Sequence, residues 1–64
     1  MKKRDIKIGQ KVKVVLSEAS KEALPGYHGR LGRVTFVVNS TYGIFVKISG
    51  LEEKAFEPRE LQAR

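Results

Sequence analysis

Cysteine is absent from this 64-residue sequence, and with it any disulfide or thiolate metal site, so packing alone must hold the fold together. No apolar run approaches the roughly 20 residues of a membrane span, and the basic start Met1-Lys2-Lys3-Arg4 leads into no hydrophobic signal region. A soluble, cytoplasmic protein with no membrane association is the expectation. The chain has no phosphate-binding Walker loop and no dinucleotide fingerprint, and its one histidine, His28, has no nearby partner for metal or acid–base work. Glu52-Glu53 and Glu57 with Glu60 come without a nucleophile, a pocket or a metal-ligand cluster, and they read as solvated surface charges. No catalytic residue, metal or cofactor is assigned, and an enzyme is not expected. A domain of this length buries only about 60% of its unfolded surface, which leaves little room for both a core and a deep pocket. A monomeric module acting through its surface fits that limit.

What the chain does have is positive charge, and its placement says more than its total. The formal net charge is +6, and residues 1–33 carry nine of the 13 Lys and Arg against three acids, whereas residues 34–64 carry four of each sign. A one-sided positive potential steers polyanions or an acidic protein surface toward one part of the molecule.

Strand patterns cover most of the remaining length. In Lys11-Val12-Lys13-Val14-Val15-Leu16 the residues Val12, Val14 and Leu16 alternate with Lys11, Lys13 and Val15, the period of a strand with one buried face. Arg33 to Val38 repeats it, with Val34, Phe36 and Val38 on one face, and Asn39-Ser40-Thr41 supplies a turn. Tyr42 to Ile48 then places Ile44, Val46 and Ile48 inward before Ser49-Gly50, and a short strand is expected around Lys54-Ala55-Phe56. Between the first two strands, Ser17 to Leu24 has helix-forming content, with Ser17 as an N-cap and Pro25-Gly26 as a stop. So short a helix is marginal in water, and one or two helical turns, an ordered irregular loop and a mobile one all fit. The division is a flexible basic start, residues 1–5, followed by a single domain, residues 6–64.

Four or five short strands without a long helix point to an all-β fold, a strongly curved sheet or small barrel. In Phe56-Glu57-Pro58-Arg59-Glu60-Leu61 an aromatic precedes a proline-initiated turn and a leucine follows it, so that Phe56 and Leu61 can plug one end. The order of strand, long loop, Gly-x-x-Gly-x-Val, hairpin and Phe-x-Pro-x-x-Leu resembles five-stranded Src-homology-3-like barrels. Gly29 to Val34, with Gly9 to Val15 before it, resembles the KOW motif. The resemblance implies a module that binds RNA or DNA, or a transcription or ribosomal protein, through the turns around the motif, with a role in transcription or translation. The long insertion from Ser17 to His28 departs from the family pattern. Other small barrels with the same ending are docking subunits of larger complexes, such as the peripheral photosystem I subunit of the PsaE family and the variable chain of ferredoxin-thioredoxin reductase, and they supply an alternative function.

The candidate contacts follow from the residues themselves. Gly29 and Gly32 suit a tight turn or a close backbone approach, while nothing about a barrel corner requires guanidinium groups at Arg30 and Arg33, which can clasp phosphate or carboxylate. The faces opposite the core would carry Lys11, Lys13, Val15, Arg33, Thr35, Val37, Phe45 and Lys47. Cations that track phosphates beside an aromatic that stacks a base are what single-stranded nucleic-acid binders use. Lys11, Lys13, Arg30, Arg33, Phe45 and Lys47 are therefore the expected nucleic-acid contacts, with Tyr27 and His28 as further candidates.

Overall fold

A computed structural model of the protein describes residues 5–39 and 42–64. The flexible start expected for residues 1–5 falls outside the described residues except for Asp5, as do Ser40 and Thr41 of the expected turn. Five strands, β1 (Lys11–Val14), β2 (Leu31–Val37), β3 (Ile44–Lys47), β4 (Lys54–Phe56) and β5 (Leu61–Ala63), form one open antiparallel sheet in the order β4-β3-β2-β1-β5. A short helix, α1 (Glu18–Ala23), lies in the connection from β1 to β2, so the chain is a small all-β domain with one helical insertion.

The inner face of the sheet is built from the residues that the alternation selects. Val12, Val14, Leu16, Val34, Ile44, Val46, Ile48, Phe56 and Leu61 are all buried, joined by Ile6 and Tyr27. Gly32 sits among them, opposite Val12 in the β1–β2 register. A Cβ there would lie 2.7 Å from the Lys47 carbonyl oxygen and 2.8 Å from Ile48 Cγ1. The missing side chain thus lets the end of β3 close over β2, a contact of backbone with backbone that no other residue permits.

The alternation fails in one place. Between Val34 and Phe36 the β2–β3 register shifts, so that Val34 faces Val46, Phe36 faces Phe45 and Val37 faces Ile44. Thr35 is the extra residue of a β-bulge, and one added residue exchanges the two faces of the strand beyond it. Phe36, expected inward, is 55% exposed, and Val37, expected outward, is partly buried against the core. The Thr35 hydroxyl has one proton and two acceptors in reach, the Phe45 carbonyl oxygen at 3.2 Å and the Glu53 carboxylate.

Ser17 caps α1 in extended conformation, its Oγ accepting from the Ser20 N–H at 3.3 Å, and the helix ends at Leu24 before Pro25 and Gly26. No residue of α1 is buried, and six residues are too few to be helical on propensity alone. Its anchor comes just after it: Leu24 packs against the core, and Tyr27 is buried, its ring 6.2 Å from that of Phe56 and its hydroxyl donating to the Glu52 carbonyl at 2.9 Å. The long connection is thereby pinned to the strand-bearing body on both sides of its turn.

At the other end, Phe56 and Leu61 are both buried, flanking a 3-10 turn over Pro58–Glu60 that begins at the proline. Glu57 and Glu60, expected as solvated charges, build this turn instead. The Glu57 N–H donates to Glu60 Oε1 at 2.8 Å, the Val15 N–H donates to the Glu60 carbonyl at 2.7 Å, and Glu60 is buried. The Glu57 carboxylate, its side chain only 15% exposed, holds Arg59 Nε at 2.7 Å.

Two substitutions separate these assignments. Phe56→Ala removes a fully buried ring and should cost about 3–5 kcal/mol, whereas Phe36→Ala loses at most an exposed ring pair, about 1.5 kcal/mol. Gly32→Ala, overpacked against backbone, should cost about 1–3 kcal/mol, which for a domain of this size lowers Tm by at least about 4 °C. Chemical denaturation of the three variants checks the ranking; equal costs for Phe36→Ala and Phe56→Ala would contradict the bulge.

Candidate nucleic-acid interface

The two registers of β2 bring three cations into line. Lys11 on β1 lies opposite Arg33 on β2, and Arg33 lies opposite Lys47 on β3, forming one row across three adjacent strands on the outer face. All three are exposed, and with Leu31, Gly32, Thr35 and Ser49 they line a shallow groove of about 510 Å³. Adjacent strands sit about 4.8 Å apart, close enough that like charges placed directly opposite destabilise a sheet.

No ion pair among the described residues involves the row, and the carboxylate that comes nearest in the described contacts is that of Glu53, on Thr35 of the same groove. The ion pairs among the described residues are Lys21–Glu18, Lys54–Glu52 and Arg59–Glu57. Arg33 Nη1 donates to the Gly9 carbonyl at 3.0 Å, and Lys47 Nζ donates to the Leu51 carbonyl. A carbonyl orients a cation without cancelling its charge, so the groove keeps its positive potential. A second depression of about 220 Å³, lined by Val15, Ser17, Ser20, Arg59 and Glu60, is different. Its guanidinium is bound to Glu57, a hydrogen bond and ion pair that raise the Arg59 pKa above its ordinary value, and its charge is already spent.

Of the other expected contacts, Phe45 and Lys13 each lie two residues along a strand from the row. Phe45 precedes Lys47 on β3 and so lies on the same face, partly buried, with its ring 6.4 Å from that of Phe36. Lys13 is partly buried on the same face as Lys11, in a row with Leu31 and Gln62. Arg30 is separate: it precedes β2, its Nε donates to the Gly26 carbonyl at 3.2 Å, and it does not line the groove.

Tyr27 and His28 serve the fold. The Tyr27 ring is in the core and unavailable for stacking. His28 is exposed, but its Nδ1 accepts the Leu16 N–H at 2.9 Å, tying the end of the long connection to a residue two beyond β1. Gly29 follows with φ of +79°, a conformation that favours glycine, and its N–H donates to the Val14 carbonyl at 2.8 Å. The motif glycines are thus a turn and a close approach, while of its two arginines only Arg33 enters the groove.

Leu31, Phe36 and Ser49 join this face without having been expected there. Phe36 is the instructive one, because Phe36-Val37-Val38 is an apolar run without strict alternation, and only such a break hinted that the register slips. Comparison with protein-family models, curated proteins and solved structures gives no match, so the site's meaning rests on its own geometry.

Tyr27→Phe should cost about 1 kcal/mol, the usual net value of one hydrogen bond, and lower Tm by roughly 4–8 °C. In amide correlation spectra the changes should stay near residues 27 and 52, leaving Lys11, Arg33 and Lys47 unmoved; shifts along the row would tie Tyr27 to the site after all.

Proposed function

We propose that the chain is a nucleic-acid-binding module that acts by binding rather than by catalysis, engaging phosphates through the Lys11–Arg33–Lys47 row. The row of three exposed cations, none of them in an ion pair, is the observation that carries this reading. Three cations held side by side at a cost in sheet stability make sense when their partner is a chain of regularly spaced anions. More specifically, we read the fold as a small Src-homology-3-like barrel of KOW type. The strand order β4-β3-β2-β1-β5, the shared and bulged β2 and the segment Gly29 to Val34 support that assignment. A place in transcription or translation goes with it. A docking subunit for an acidic protein surface is the second reading, favoured by the exposure of Leu31 and Phe36.

Fluorescence anisotropy with labelled oligonucleotides across a salt series tests the proposal. For a single strand, log K falls with log salt at a slope of about −0.7 per neutralised phosphate, so three contacts give about −2. Arg33→Ala and Lys47→Ala should each flatten the slope by about 0.7, and Arg30→Ala should change it less. No binding at about 50 mM salt, or slopes indifferent to both groove substitutions, would sink the reading and favour a protein partner.

A further inference from the structure

We propose that Phe36 and Phe45 form a stacking site for an unpaired base, and that the ligand of the cation row is therefore single-stranded. The inference rests on the row binding nucleic-acid phosphates and adds which form of nucleic acid it takes.

The bulge at Thr35 turns Phe36 out of the core and sets it opposite Phe45. The two rings lie 6.4 Å apart at 59°, a tilted pair, and Phe36 remains 55% exposed. The exposed ring thus stands beside Phe45 on the charged face, where two aromatics rather than one are offered. Phe45 precedes Lys47 by two residues, which places the aromatic pair about 7 Å along the strand from the cations, on the same side of the sheet.

Geometry sets which end of a nucleotide goes where. Phosphates are drawn to Lys11, Arg33 and Lys47, so the backbone follows the row, and a base two residues along β3 from Lys47 meets the rings. The Glu53 carboxylate touches Thr35 on the same groove and makes that end of the row less positive than the Lys11 end. In a duplex both faces of every base are already covered by neighbours, and a ring on a sheet surface cannot reach them without unstacking the helix. A single strand offers its bases freely. Stacking on a phenyl face is also tolerant of sequence, because every base has a π-face.

Anisotropy titrations with a single strand, its duplex and a single strand carrying abasic positions distinguish the possibilities, using the full chain and Phe36→Ala, Phe36→Leu and Lys47→Ala variants. Phe36→Ala and Phe36→Leu should each weaken single-strand binding by about 5- to 150-fold with the salt slope intact. The duplex should bind more weakly than the single strand, and the abasic strand should bind weakly to wild type and be insensitive to Phe36→Ala. If the duplex binds as tightly as the single strand, or if the Phe36 variants and the abasic strand behave like their references while Lys47→Ala still flattens the slope, the stacking site is overturned and the phosphate-binding row stands. If no oligonucleotide binds at all, both fall. Thermal melts of the two Phe36 variants confirm that any loss belongs to a folded protein.

Discussion

One extra residue in the central strand decides what this molecule presents to its surroundings. β2 pairs with β1 through Leu31 to Arg33 and with β3 through Arg33 to Val37, and Arg33 belongs to both registers. Up to Val34 the alternation puts Arg33 outward and Val34 inward; beyond Thr35 it is inverted, which sends Phe36 out and turns Val37 toward the core. Without the bulge, Phe36 would enter a core already filled by Phe56, Ile44 and Tyr27, and Val37 would stand beside Phe45 on the outside. The bulge carries its own polar repair, because the Thr35 side chain reaches the Phe45 carbonyl across the disrupted ladder. The cation row and the aromatic pair are consequences of the same register.

A domain with no disulfide and few core residues must tie down its connections by other means, and here partly buried polar bonds do it. The Tyr27 hydroxyl on the Glu52 carbonyl, His28 Nδ1 on the Leu16 N–H and Glu60 on the Glu57 N–H each fasten a connection that hydrophobic burial alone would leave loose. Among the described residues no buried side-chain nitrogen or oxygen lacks a partner. Such satisfied bonds specify one geometry, because breaking either partner leaves a desolvated group unpaired. The result is a rigid frame in which the three groove cations sit on strands, where register rather than loop conformation sets their spacing.

Much of this was legible in the sequence. Strict alternation in Lys11 to Leu16 and in Ile44 to Ile48 named six of the eleven buried hydrophobic residues among those described, and Pro58 between Phe56 and Leu61 named the closing turn, because these signals are local. Arg33, Lys11 and Lys47 were individually visible as outward cations, but their alignment depends on pairing between strands far apart in the chain. The roles of Tyr27, His28 and Glu60 were hidden for a related reason: a polar residue in a loop looks solvated until the partner it meets, 25 residues away for Tyr27, is known. The bulge was the hardest to see, since Thr35 inside Arg33 to Val38 looks like any outward strand residue, and a slip of one position changes every later side chain without changing composition.

A polyanion bound along the cation row would be coupled to stability. Neighbouring charges at inter-strand distance repel by about 1 kcal/mol in water, and salt screens this over about 8–10 Å. The free domain therefore carries stored repulsion on its outer face, greatest at low salt, while the hydrophobic face beneath is indifferent to ionic strength. A polyanion laid along the row replaces repulsion with attraction and binds the folded sheet alone, since unfolding scatters Lys11, Arg33 and Lys47 along the chain. Binding must then raise stability by mass action, and both the affinity and the stabilisation must fade together as salt rises. An apolar docking partner on exposed Leu31 or Phe36 would couple to stability as well, but without that shared dependence on salt.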